Sequence, residues 1–151
     1  MKYALLLVMG LIAAPAMADE SPNFGSGSSY RGGGDLVNSA RQYIGSNPTR
    51  HSSLWCADFA NYILKKNGYS STESRAARSF AKYGTRTHLK ENAIAVLSRK
   101  GGGHVVVVTE VLGGGLFKGV GGNSCKRGGR SIVCEGTYST SRLIAVVEPR
   151  G

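Results

Sequence analysis

The usual signatures of cofactor and metal chemistry are missing from this 151-residue chain. Its three cysteines and three histidines are scattered, with no C-x-x-C or H-x-x-x-H spacing, so no metal site is expected. Neither a G-x-x-x-x-G-K-[ST] phosphate loop nor a G-x-S-x-G nucleophile elbow occurs, which excludes the common nucleotide hydrolases and serine hydrolases. Gly119-Val120-Gly121-Gly122-Asn123-Ser124 echoes a dinucleotide loop, but no helix follows it, and no cofactor is expected. Internal repeats are absent. Acidic residues are few, nine against nineteen lysines and arginines, a net charge of +10.

The one sustained apolar run, Tyr3 to Ala14, is too short to span a bilayer comfortably. With Met1-Lys2 before it and Ala16-Met17-Ala18 after it, residues 1–18 read as a signal peptide cleaved after Ala18. No cysteine follows the run, so a lipid-anchored start is not expected, and the protein is expected to be periplasmic or secreted. Removal of Lys2 leaves a net charge of +9. Residues 19–34 are Gly/Ser-rich and read as a flexible leader that buries too little apolar surface to fold. Residues 35–151 are enough for one domain with one core, and a monomer is expected.

Three cysteines are an odd number for an oxidising compartment, and any of three pairings is formally open. Cys125 and Cys134 are close in sequence and flank a Gly/Arg-rich segment. A bridge between them closes a loop of about ten residues, contributes roughly 2–3 kcal/mol, and leaves Cys56 as the free thiol. Position alone leaves Cys56 as either a nucleophile or an inert buried thiol.

Periodicity sets the elements. Asp35 is a good N-cap for a helix with Leu36, Val37, Ala40, Tyr43 and Ile44 inward, ending at Gly45. A second helix carries Phe59, Ala60, Ile63 and Leu64 on one face and stops at Asn67-Gly68. Cys56 falls on the same stripe, in the first buried turn. A third helix is predicted from Glu73 to Tyr83, with Ala76, Ala77, Phe80 and Ala81 inward. After Asn92 the period shortens, predicting strands at 93–98, 104–112, 116–120 and 143–147. Helices first and strands afterwards, with short connections, predict an α+β domain on an antiparallel sheet.

A tight turn centred near Gly114 places His104 opposite position 123 or 124, and position 123 is Asn123. An amide there fixes the tautomer of His104 and leaves its other nitrogen to face a thiol; a turn residue is the plainer reading of Gly-Gly-Asn-Ser. Glu110 shares the His104 face by alternation but lies roughly 20 Å along the strand, so Asn123 is preferred. Amides at a helix start and a nearby imidazolium both favour the thiolate of Cys56. His104 then serves as base and acid, and the Cys56 N–H helps to hold the oxyanion. His51 and His88 lie in polar connections and read as solvated.

Trp55-Cys56-Ala57-Asp58-Phe59, Gly102-Gly103-His104-Val105 and Gly121-Gly122-Asn123 resemble the exported NlpC/P60 and CHAP-related cysteine peptidases. The likeness extends from about Asp35 to Pro149, and is greatest to a small bacterial subgroup with W-C-A-x-F and G-G-H-V motifs. It implies a papain-like fold with N-terminal helices packed on a small antiparallel sheet. It also implies hydrolysis of peptidoglycan, as endopeptidase or amidase, with Cys56 as nucleophile, His104 as base and Asn123 as orienting residue. Ser124-Cys125 departs from the glutamine or histidine that often follows the family's asparagine.

Arg75, Arg78, Lys82, Arg86, Lys90, Arg99 and Lys100 lie along the middle of the chain, with Lys126, Arg127 and Arg130 between the paired cysteines. In an exported protein these suit anionic envelope polymers, or merely a solvated basic surface. No aromatic-interleaved motif supports nucleic-acid binding. A catalytically silent, basic envelope-binding module on the same fold is the alternative function.

Overall fold

The computed structural model describes residues 35–151; the signal-peptide and leader readings lie outside the described residues. Helix α1 spans Leu36–Arg41 and α2 spans Cys56–Lys66, followed by a 3-10 helix at Ala77–Lys82. The strands are β1 (Ile94–Arg99), β2 (Gly102–Gly113), β3 (Leu116–Arg127), β4 (Arg130–Ser139) and β5 (Leu143–Val147), with a 3-10 turn at Thr140–Arg142 before β5. They form one sheet in the order β4-β3-β2-β1-β5, and every neighbouring pair is antiparallel. The expected α+β class and sheet are present.

Alternation along the central strands divides the core into two layers. Ile94, Val96, Val105, Val107 and Val120 face the helices, packing with Leu36, Trp55, Phe59, Ile63 and Phe80. Ala95, Leu97, Val106, Val108 and Phe117 form a second cluster on the opposite face, flanked by Tyr138 and Leu143. With both faces covered, β2 reads as a continuous buried run from His104 to Thr109 rather than as an alternating one.

Several predicted elements change at their ends. Asp35 caps α1 as expected, accepting from the Asn38 N–H, but the helix stops at Arg41. Ile44 is instead exposed and forms a parallel bridge to Val133. The predicted 73–83 helix is only the 3-10 segment, because Glu73 takes a left-handed φ of +53° and Ala76 is extended. Of its four inward alanine and phenylalanine positions, Ala76 is exposed, whereas Ala77 and Phe80 are buried.

The larger correction is on the far edge. The third strand runs on to Arg127, and the segment between the cysteines and beyond it folds back as β4. Arg127 and Arg130 pair across a two-residue turn, Gly128-Gly129, both at positive φ, the conformation that primed hairpin turns require. Cys125 and Cys134 are disulfide-bonded between these two strands, with Cα atoms 6.2 Å apart. Gly121 is paired with Cys134, and Cys125 with Ile132, so two extra residues bulge from β3 between the pairs. That bulge carries Asn123 and Ser124.

Candidate active site

Cys56 opens α2. Trp55, at the N-cap, supplies no side-chain hydrogen bond, so the first-turn amides of the helix are uncapped by side chains. The thiol is free and 5% exposed. Burial pushes it upward, away from the thiolate, while the N–H groups of Val105, Ala57 and Cys56 itself and the charge of Arg99 pull it back. The net direction is upward. The thiol therefore rests protonated near neutral pH, in contrast to the preformed thiolate expected from the helix start alone.

Two buried aromatics fix this helix start. Trp55 and Phe59 meet edge to face, 6.5 Å between centroids, and both lie against Gly122 of β3. A Cβ at Gly122 falls 2.5 Å from the Phe59 Cβ and 2.6 Å from the Trp55 ring, so only glycine lets helix and strand approach this closely. The residue before Asn123 is thus the contact that positions the residue before Cys56.

His104 stands at the start of β2 and is 3% exposed. Its Nε2 is 3.1 Å from Ser124 Oγ and 3.4 Å from the Tyr138 hydroxyl. The ring packs on Tyr138, with centroids 5.9 Å apart, on the face of the sheet opposite the helices. Nδ1 is buried without a hydrogen-bond partner. Burial, then the charges of Arg99 and Arg142, push the imidazole down to about 4, so it rests neutral. The Val105 N–H, one residue on from the ring, is among the groups that pull the Cys56 thiol downward, so the helix start lies beside the strand that carries His104. No hydrogen bond joins the thiol to Nδ1.

The three sequence-predicted residues are thus brought to one region but not into one chain of hydrogen bonds. The β2–β3 register, Val107 opposite Val120 and Val108 opposite Gly119, extrapolates from His104 to position 123 as expected. At φ +55°, however, Asn123 leaves strand geometry, and it is Ser124 that meets the ring. Asn123 instead lines the Cys56 cleft. Glu110 is exposed and ion-paired with Lys118 at 3.1 Å, remote from the imidazole in function. His51 is an exposed loop residue 3.9 Å from Asp58, and His88 is exposed. Tyr138 and Arg142 fall between the strands predicted at 116–120 and 143–147, where the sequence predicts no element. Arg142 donates twice to the Ser98 carbonyl and lies 6.0 Å over the Tyr138 ring, which locks the wall behind His104.

The cleft over Cys56 has a volume of about 350 Å³. Leu54, held at φ +53° and 73% exposed, lines it together with Arg78, Arg99, Lys100 and the Gly101–Gly103 turn. Arg99 also lines the small pocket beside His104, Ser124 and Tyr138. Among the described residues no group of three or more His, Cys, Asp or Glu is placed to hold a metal ion.

The CHAP domain model matches residues 46–123, a span that contains Cys56 and His104 and ends on Asn123. The chain belongs to the CHAP domain family. Among solved structures it is similar to the wild-type endolysin LysIME-EF1, with a TM-score of 0.55 and 12% identity. That match covers 77% of this chain and 63% of the endolysin, so the chain spans less than two thirds of its length. No curated protein matches. At that identity the endolysin is evidence for the CHAP fold alone. Within the CHAP span, Cys56, Ala57 and His104 sit on α2 and β2, whereas Ser124, Tyr138 and the disulfide lie beyond its end.

Proposed function

We propose that this chain is a peptidoglycan hydrolase that breaks an amide bond of the cell-wall peptide through Cys56. The observation that carries the reading is the free thiol at the uncapped start of α2, open to a cleft and beside the strand that carries His104, whose Nδ1 is buried and unpaired. CHAP membership and the endolysin likeness agree with it.

In this reading both partners start neutral. As substrate enters, the Sγ proton passes to His104 Nδ1, directly or through one water, since catalytic hydrogen bonds commonly tighten only in the complex. Sγ attacks the amide carbon, and the oxyanion is held by the Cys56 N–H at the helix start. The C–N bond breaks as His104 returns the proton to the leaving amine, leaving an acyl-thioester. Water, deprotonated by His104, releases the acid and restores the thiol. Ser124, with Tyr138 behind it, holds Nε2 and so replaces Asn123 as the orienting group.

The test is digestion of purified peptidoglycan with mass spectrometry of the released fragments. Wild type releases peptide-cleaved products; folded Cys56→Ala and His104→Ala release none, and full activity in both rejects the reading. The second reading, a silent basic envelope-binding module, draws on the missing Cys56–His104 hydrogen bond. It requires wild type to bind peptidoglycan without releasing fragments. Export is proposed from residues 1–18, and N-terminal sequencing of the exported protein should begin at Asp19.

A further inference from the structure

The Cys56 cleft is lined by four cationic side chains, Arg75, Arg78, Arg99 and Lys100, and by no carboxylate. Arg75 is neutralised by Asp58 at 2.9 Å. Among the described residues no carboxylate pairs with Arg78, Arg99 or Lys100, although five other acid–base pairs form away from the cleft. Three uncompensated cations around one opening repel each other, and a bound anion relieves that repulsion where water is partly excluded.

Their positions are specific to the reacting groups. Arg99 ends β1 and is the one cation that lines both the Cys56 cleft and the His104 pocket. Arg78 is placed by Gly103, whose missing Cβ leaves room for the arginine stem; a Cβ there falls 3.1 Å from Arg78 Cγ. The stem of Arg78 thereby crosses the strand residue that immediately precedes His104. Arginine forks suit a planar carboxylate, which accepts two parallel hydrogen bonds.

We infer that the cleft selects a peptide bearing a free carboxylate beside the scissile amide, with Arg99 as the specificity-determining residue and Arg78 as its partner in the cleft lining. This inference rests on the hydrolase reading above. It narrows the substrate from cell-wall peptide in general to acidic stem peptides. The carboxylate takes no part in bond cleavage; it fixes the acyl chain so that the amide carbon lies over Sγ.

The experiment uses two synthetic stem peptides, identical except that the carboxylates of one are converted to carboxamides. Wild type should favour the free acid by about tenfold in kcat/KM, the loss expected when one charge-assisted hydrogen bond is removed. Arg99→Gln should erase the preference, mainly through KM, and Arg78→Gln should reduce it. Lys126→Gln, an exposed cation outside the cleft, should keep it. Equal turnover of both peptides by wild type overturns the inference and leaves the hydrolase reading standing. If wild type cleaves neither, digestion of peptidoglycan decides the hydrolase reading, and calorimetric binding of the two peptides to Cys56→Ala decides the inference. Preference for the acid then supports the inference; equal binding, no binding, or displacement only by a phosphate polymer overturns it.

Discussion

Ser124 Oγ lies 3.1 Å from Nε2 of His104, so the outer nitrogen of the ring is engaged while the buried Nδ1 is left without a partner. In the proposed mechanism this contact leaves Nδ1 as the nitrogen that faces the thiol. If Nε2 carries the ring proton and donates to Ser124, Nδ1 is the acceptor for the thiol proton.

Ser124→Ala is expected to lower kcat about tenfold with little change in KM, since the ring keeps its place but loses its orientation. Ser124→Thr, which retains the hydroxyl, should recover part of the loss. Asn123→Ala should act mainly on KM, because Asn123 lines the cleft rather than the ring. Steady-state kinetics on a soluble peptide separate the two; a kcat loss confined to Asn123→Ala rejects the assignment to Ser124.

The burial of His104 gives stability a distinct pH dependence. Folded, the ring titrates at about 4; unfolded, near 6.5. Between these values the unfolded chain binds a proton that the folded chain does not, so stability rises with pH across this window. As pH falls from about 6.5 to 4, wild type should lose about 3 kcal/mol from this group, with no further loss below. Urea unfolding at pH 7 and pH 4 checks it: His104→Gln should lose about that much less than wild type. Because the thiol is held above its ordinary range, alkylation of Cys56 should keep accelerating into alkaline pH. A rate plateau near pH 5 would instead reveal a preformed ion pair.

Cys56 and His104 stood out as candidates because each sits near the start of a strongly patterned element, an amphipathic helix and a strand with four consecutive valines. The pairing of Cys125 with Cys134 was legible from spacing. What was not legible has a common origin in β4. Its polar, Gly-containing sequence, RSIVCEGTYS, reads as a loop by composition, and only the Gly128-Gly129 turn signals a hairpin. Missing β4 hid Tyr138, and without β4 there is no bulge to rotate Ser124 rather than Asn123 toward the imidazole. The helical stripe placed Cys56 in a buried turn, but the sequence carries no measure by which desolvation outweighs the helix-start amides.

The disulfide brackets the bulge that carries both Asn123 and Ser124. Replacing both cysteines by serine should lower stability by about 2–3 kcal/mol, the chain-entropy value for a loop of this length. Activity should fall even where the variant is fully folded, because the bulge is freed. Urea midpoints and kcat, each measured with and without reductant, test this; the double variant should be indifferent to reductant and wild type should not.

Two glycines of β3 separate positioning from stability. Gly122→Ala drives a Cβ into Phe59 and Trp55 on the helix side, whereas Gly119→Ala drives one to 2.6 Å from Val106 on the opposite face. Both sites are tightly packed, so each change should cost about 1–3 kcal/mol by overpacking. Only the first moves the residue that precedes Cys56. At a temperature where both variants are folded by circular dichroism, Gly122→Ala should lose most of its turnover and Gly119→Ala should retain most. Equal turnover in the two would mean that the seat of α2 on β3 does not set the position of the thiol.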